Sequence, residues 1–543
     1  MATTDPQVPG APDPQQPAAR DVAAQAEAVA TRPDPAGEPR PASPDARSSW
    51  HDAVVVGGGV AGLVAAHTLV TEGLSPVVVE ASDTCGGYLA RADVGPAGTP
   101  VVVDVGAESY ASRSQAIGDL VTTLGLEAVE PSGLSAWGYV PAGRTRPDRG
   151  ATPPVDRAGR AFPLPAAGVL GIPGRPWARD TRRAIGVLGA LRASLDRVLP
   201  ASRVDTSNLA SLVRSRLGAR VLERLVTPVA GGVHSTDPAL LSVDAVAPGL
   251  LAAYRRTGSL AAAVLSLRAQ APAGSAVRGL VGGMNQLVAA LERSVEHGGQ
   301  VRRGTGARRL RRVEGSWEVV LSDGTVLRTD RVVVAVGGHA AVALLADHVD
   351  VRGAAPVRGT DIRLVTLLLH APGLRPAPRG TGVLVAPGSD VVAKGTTHAS
   401  AKWPWLRARL DGTLGEDAHV VRLSYGRGGS SAPAPVAAGT DAAAADAAFV
   451  EQAVRDVQAL YGVRLDPDDV LSSLVTRWDD ALSPPTPEHR ERTSRLVADV
   501  AGLGGGGQAA GPGLSVTGAW VAGTGLAAVV PHAQAAARSL GHS

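Results

Sequence analysis

The sequence predicts an α/β protein (α+β over its whole length) built on a Rossmann-like dinucleotide-binding domain. Three observations predict it. An apolar, β-branched run over 52–56 enters Gly57-Gly58-Gly59-Val60-Ala61-Gly62. A helical apolar pattern follows through Leu63, Ala66, Leu69 and Val70 and stops at Gly73. Pro76-Val77-Val78-Val79-Glu80 then reads as a second strand. A strand, a glycine turn, a helix and a second strand make one β-α-β unit, the building block of a parallel, doubly wound sheet.

Each element has a physical reason. The 52–56 run shows no polar alternation, as expected of a strand covered on both faces. Gly57 permits the tight turn out of that strand. Gly59 lets the backbone approach a pyrophosphate, and Gly62 allows the helix to pack closely on the strand. Val60 and Ala61 open the helix, whose unpaired N–H groups and positive potential suit phosphate. Glu80 lies about 20 residues on, where a carboxylate accepts hydrogen bonds from a ribose 2′-OH and disfavours a 2′-phosphate. NADP is therefore not expected here.

A second motif distinguishes the dinucleotide. Glu80-Ala81-Ser82-Asp83 continues to Gly86-Gly87. The pattern resembles the Glu-x5-Gly-Gly signature of amine-oxidase-like flavoproteins. That resemblance implies FAD, bound in a domain of glutathione-reductase/amine-oxidase type, with the glycine pair running beside the flavin. Thr84 and Tyr88 stand where that superfamily commonly carries an arginine and a basic residue. Cys85, inside the motif, reads as a small packing residue. A third motif, Gly523-Thr524-Gly525-Leu526, precedes an alanine-rich helical run. Here the chain is expected to return to the first domain and turn a helix N-terminus toward the flavin pyrimidine.

Composition bounds the rest. A chain of 543 residues is expected to form two or three domains. The net charge of +3, from 53 basic and 50 acidic residues, is mixed rather than blocked, so no nucleic-acid partner is expected. One cysteine excludes an internal disulfide, and the twelve histidines lack metal-ligand spacing, so no metal is expected. No apolar run reaches the roughly 18–20 residues that span a bilayer, and the first residues do not read as a secretory signal. A cytoplasmic location is expected. Residues 1–48, rich in Pro, Ala, Asp and Arg, read as a disordered extension.

Four parts are expected: the extension; an FAD-binding domain from 49–112, 276–342 and 495–543; a helical subdomain over 113–215; and a mixed-sheet substrate domain from 216–275 and 343–494. Within the helical subdomain, 166–200 is apolar with interspersed Arg175, Arg179, Arg182 and Arg183. Such a stretch suits a membrane surface or a cap over a pocket; an ordinary solvated helix face fits it as well. The arginines between 302 and 312 read as the solvated face of a sheet.

A narrower resemblance covers 52–540. Asp104-Val105-Gly106-Ala107-Glu108-Ser109-Tyr110, Arg214-Ser215-Arg216-Leu217-Gly218, Gly231-Gly232-Val233-His234-Ser235, Leu280-Val281-Gly282-Gly283-Met284, Ser400-Ala401-Lys402-Trp403-Pro404 and Ser424-Tyr425-Gly426-Arg427 resemble blocks of bacterial, actinobacterial-type protoporphyrinogen/coproporphyrinogen III oxidases. Ser114 and the segments 484–490 and 527–532 depart from that pattern. The resemblance implies oxidation of coproporphyrinogen III to coproporphyrin III in haem biosynthesis, in three two-electron steps with O2 as acceptor and H2O2 as product. The flavin carries the chemistry, and no dedicated side-chain base is identified. The substrate's carboxylates call for cations, and Arg113, Lys394, Lys402 and Arg427 are the candidates. The two lysines stand out because every other basic residue is arginine. The alternatives are a protoporphyrinogen IX oxidase, another flavoenzyme of the amine-oxidase fold, and a flavoprotein without catalysis. Contact with a membrane or with other enzymes of the haem pathway is compatible with these readings.

Overall fold

A computed structural model describes residues 48–96, 98–141, 159–200, 204–234, 237–270, 275–426, 441–482, 486–503 and 513–541. The expected extension over 1–48 lies outside them except for Ser48.

Five parallel strands form the central sheet. In spatial order they are Gln300–Arg302, Pro76–Val79, Ala53–Val56, Arg331–Val334 and Gly513–Val516. Counted along the chain this order is 3-2-1-4-5, so the winding reverses beside Ala53–Val56, whose end runs into Gly57. Ligands of open α/β sheets bind at that reversal. Val54, Val55 and Val56 are buried because both faces are covered. Helices Val60–Thr71, Asn285–Gly298 and Leu526–Gly541 pack on one face through Leu63, Leu287, Leu291, Val530 and Ala533. On the other face Val54, Val77 and Val332 meet Trp317, Val319 and Leu327. These belong to a four-stranded sheet in which Ser48–Trp50 pairs in parallel with Val326–Thr329, followed by Ser316–Leu321 and Ala307–Val313. Arg308, Arg309, Arg311 and Arg312 are exposed on its edge strand.

A seven-stranded mixed sheet carries the second layer, in the order Val470–Leu482, Thr360–His370, Ala418–Tyr425, Gly395–His398, Gly382–Val385, Trp137–Val140 and Arg160–Pro163. One of its faces packs on helix Ala442–Tyr461 through Phe449, Ala453, Val457 and Leu460. Asp441 caps that helix by accepting from the N–H groups of Ala443 and Ala444, and Gly462 ends it with φ +70°.

The helices form a third region around one apolar cluster, which joins Ala184, Ile185, Leu209, Leu212, Leu222, Leu225, Leu250 and Leu260. The expected division at 215/216 therefore falls inside a packed core, because the helices on either side share it. At its centre Arg216 and Asp196 are both buried, with Nε 2.6 Å from Oδ1. Among the described residues no helix is long and apolar enough to cross a membrane.

Candidate functional site

The glycine turn sits where the sheet order reverses. Gly57 has φ +107°, and a Cβ there would meet the Ala335 carbonyl oxygen at 2.8 Å. A Cβ on Gly62 would lie 1.9 Å from the Gly57 oxygen, so the helix can pack this closely only on glycine. Gly59 differs, for nothing lies within 4 Å of the place its Cβ would take. It begins helix Val60–Thr71, and no side chain caps that helix. The N–H groups of the first turn, including Val60 and Ala61, have no intrahelical partner. An open glycine at an uncapped helix N-terminus is a cradle that fits a pyrophosphate.

Glu80 faces the same turn. Its Oε2 accepts from Gly58 N at 2.7 Å and its Oε1 from Ser82 N at 2.9 Å. A carboxylate has about four acceptor positions, so ribose hydroxyls can add to these bonds. Ala81, next in the chain, packs beside Gly306. Gly86 pairs with Gly59 as a parallel bridge and donates to the Gly58 carbonyl at 2.9 Å. Gly86 and Gly87 thus run alongside the turn. Gly523 and Gly525 lead into helix Leu526–Gly541, and Leu526 is buried in the cluster shared with Val60–Thr71. Pro531 lies within that helix and cannot donate to the Ala527 carbonyl; Ser114 Oγ approaches that oxygen at 3.4 Å. The departure at Ser114 therefore has a structural use. Cys85 is pushed up to about 12 by burial, with Glu292 and Glu80 adding to the effect. Its thiol stays protonated, as a packing residue's would.

A cavity of about 370 Å³ lies beside the residue that follows Gly87. Tyr88, the residue after Gly87, lines it together with Gly106, Glu108, Leu364, Lys394, Arg422 and Trp478. Its size falls in the roughly 300–1,000 Å³ range of small-molecule sites. Tyr88 and Trp478 form an aromatic pair, with ring centroids 5.2 Å apart. Trp478 Nε1 also donates to the Val105 carbonyl at 3.0 Å.

Glu108 organises the charges on this wall. Lys402 Nζ lies 2.5 Å from its Oε1 and Arg422 Nη2 lies 3.0 Å from its Oε2. Burial alone would raise the Glu108 carboxyl, but the charges of Lys402 and Arg422, with hydrogen bonds from Lys402 and Thr397, outweigh it and hold the group at about 2. Arg422 Nη1 further donates to the carbonyls of Asp104 and Gly106, at 3.0 and 2.9 Å, fixing the turn after strand Val101–Asp104. The Asp104 carboxylate accepts from the N–H groups of Met284 and Asn285 and so anchors helix Asn285–Gly298 to the same turn.

The structure separates three of the four cations expected at the substrate. Lys394 lines the cavity and is only 5% exposed. Lys402 stands behind Glu108, with its ammonium over the Trp403 ring at 4.9 Å. It reaches the cavity wall through Glu108, because the carboxylate takes up its charge. Arg113 is exposed and is not part of the lining. Arg427 lies outside the described residues. Sequence reasoning missed Glu108 and Arg422 as site residues. A usable signal existed for each. Arg422 interrupts an otherwise apolar stretch, Val420-Val421-Arg422-Leu423, and Glu108 follows a glycine turn at a strand's end.

Comparison with known proteins agrees with this geometry. Residues 60–538 match the model of the flavin-containing amine oxidoreductases. A Mycobacterium leprae coproporphyrinogen III oxidase is 30% identical over 493 residues, spanning 90% of this chain and 97% of the relative. A Bacillus subtilis coproporphyrinogen III oxidase is 24% identical over 500 residues, spanning 89% and 96%. A solved structure from Exiguobacterium sp. 255-15 superposes with a TM-score of 0.71 at 21% identity, over 90% of this chain and 98% of that one.

Proposed function

The chain belongs to the flavin-containing amine oxidoreductases and is an FAD-dependent oxidoreductase; on that premise we propose that it oxidises coproporphyrinogen III to coproporphyrin III. The observation that carries this reading is the cavity wall, largely apolar with cationic side chains set in it. One carboxylate, Glu108, stands against Lys402 and Arg422, and Lys394 adds a further cation to the lining. An apolar cavity with cationic side chains in its wall suits a bulky apolar macrocycle that carries carboxylates. The relatives named above bear the name of that activity.

The residues fit FAD. Gly57, Gly59, Val60, Ala61 and Gly62 would receive the pyrophosphate, Glu80 and Ala81 would hold the ribose end, and Gly86 and Gly87 would flank the flavin. Gly523, Gly525 and Leu526 would present a helix N-terminus to the ring. The chemistry that bound FAD supplies is two-electron oxidation, with O2 reduced to H2O2. The chain's own part is to bind and orient the macrocycle. Lys394 would pair with a propionate. Glu108, fixed by Lys402 and Arg422, stays ionised and can accept from the pyrrole N–H groups. The Tyr88–Trp478 pair would cover a ring face and exclude water. Peripheral contact with a membrane belongs to the same proposal, as does a cytoplasmic location.

The test is direct. The purified protein should show flavin absorbance and, in air, form fluorescent porphyrin faster from coproporphyrinogen III, with four carboxylates, than from protoporphyrinogen IX, with two. Bound flavin without turnover of either compound would sink the reading. Preference for the dicarboxylate would replace it with protoporphyrinogen oxidation.

A further inference from the structure

Lys394 reaches the cavity from a stretch of chain that no sheet holds. Residues 391–393 precede strand Gly395–His398 and belong to no helix or strand. Val391 and Ala393 are buried in the cluster under helix Ala442–Tyr461, while Lys394, next in the chain, lines the cavity. Adjacent residues here therefore serve different sides of the sheet. Buried backbone N–H groups outside a ladder need another acceptor. Here it is the Asp456 carboxylate, which stands on helix Ala442–Tyr461. Its Oδ2 accepts from Ala393 N at 2.9 Å and its Oδ1 from Val392 N at 3.4 Å.

The same carboxylate ties in the neighbouring strand and its own helix. Oδ2 also accepts from Tyr425 Oη at 3.1 Å, and Oδ1 from Gln452 Nε2 at 2.8 Å. Tyr425 follows Ser424 at the end of strand Ala418–Tyr425, and the Ser424 carbonyl accepts from Lys394 N at 2.8 Å. Lys394 is thus held at its own N–H and at the two N–H groups before it. All four of these donors to Asp456 are neutral, and the residue is only 2% exposed. Burial pushes its carboxyl up, and the bonds from Ala393, Gln452, Val392 and Tyr425 oppose that rise. A buried acid served by neutral donors is costly. What it supplies is geometry, because each carboxylate oxygen takes two donors. An asparagine would set an amide nitrogen against two of them.

We propose that Asp456 is a positioning residue for the substrate: from the helix side of the sheet it fixes residues 392–394, so that the Lys394 ammonium meets a carboxylate of the ligand in the cavity. The inference deepens the oxidase reading and rests on it for the identity of that carboxylate. Asp456 is not among the residues that line the cavity, so it acts through Lys394. The reason is entropic. A lysine carries its charge on a mobile four-carbon stem. Were its backbone mobile as well, more freedom would be lost on gripping a carboxylate. A backbone fixed in advance leaves only the side chain to be ordered on binding.

The test compares Asp456→Asn with the wild-type holoenzyme. D456N should raise the KM for coproporphyrinogen III by about fivefold, with kcat within about twofold, and should shift the KM for protoporphyrinogen IX less. In a K394M background it should add nothing, since the two residues act as one. Leu460→Ala removes a buried side chain from the same helix and is the control for loosening alone; it should leave both KM values as they are. A second readout needs no turnover. The two lysines of the chain are compared by reductive methylation with formaldehyde, read by peptide mass spectrometry. D456N should speed modification of Lys394 by about threefold or more and leave Lys402 unchanged, while L460A should change neither. Should D456N yield no flavin-bearing protein, Y425F carries the same test, with smaller shifts in the same directions. An unchanged KM, a D456N effect that persists in K394M, or an equal change at both lysines would each overturn the proposal. If the wild type turns over neither porphyrinogen, the oxidase reading fails, and the labelling of Lys394 alone decides whether Asp456 fixes this segment.

Discussion

Two buried ion clusters use the same chemistry toward different ends. In the helical region Asp196 and Arg216 are almost wholly buried, at 1% and 0% exposure, and their charges balance. Asp196 Oδ2 accepts from Ser259 Oγ and Ala261 N, at 2.6 and 2.9 Å, and Arg216 donates to the carbonyls of Leu199 and Gly258, at 2.8 and 2.7 Å. At the cavity Glu108 meets two cations, and the cluster opens on a space of about 370 Å³. A closed pair fixes a fold; a cluster that opens on a cavity has room beside it for a ligand.

The largest effect should come from breaking the closed pair. Arg216→Met leaves Asp196 buried without its cation and should cost about 3–5 kcal/mol, read as a lower urea midpoint. Any enzyme that still folds should keep its KM. A small stability loss would mean that Asp196 is relieved by water and the two clusters are less different than the geometry says.

Next comes the pH dependence of Glu108. Its folded-state value, about 2, lies below its ordinary 4.5. The stabilisation is therefore present above pH 4.5 and fades as the pH falls from there toward 2. The whole amounts to roughly 3 kcal/mol. In Glu108→Gln this part of acid denaturation should disappear, and at neutral pH turnover should fall even in folded protein. An unchanged turnover would reduce Glu108 to a structural role like that of Asp196.

Lys394→Met should raise the KM for coproporphyrinogen III by about tenfold, the worth of one charge-assisted pair, and should affect a dicarboxylate less. Arg113→Ala, outside the cavity, should change neither value. The smallest stability effect is expected at Gly59. Its Cβ has room, so Gly59→Ala should fold normally, yet it should lose flavin because the methyl group occupies the approach to the pyrophosphate. Gly62→Ala, by contrast, should lose stability, since its Cβ would lie 1.9 Å from an oxygen.

The β-α-β unit was legible because everything that makes it is local. Four β-branched or apolar residues make a buried strand, three glycines make the turn, and a carboxylate 18 residues beyond Gly62 returns to that turn. The boundary at 215/216 was misjudged because helices far apart in the chain share one core, and no local pattern records that.

The sequence by itself thus determined the fold class, the dinucleotide turn and the family, since these rest on residue types at short, fixed spacing. Only the tertiary structure decided which of the candidate cations line the cavity. Lys394 and Lys402 are eight residues apart and look equivalent in sequence, but Lys394 lines the cavity while Lys402 stands behind Glu108, nearly 300 residues away in the chain. The reason is physical. Charges act through space over a few ångströms, and the distance that decides their role is set by a sheet that brings distant strands together.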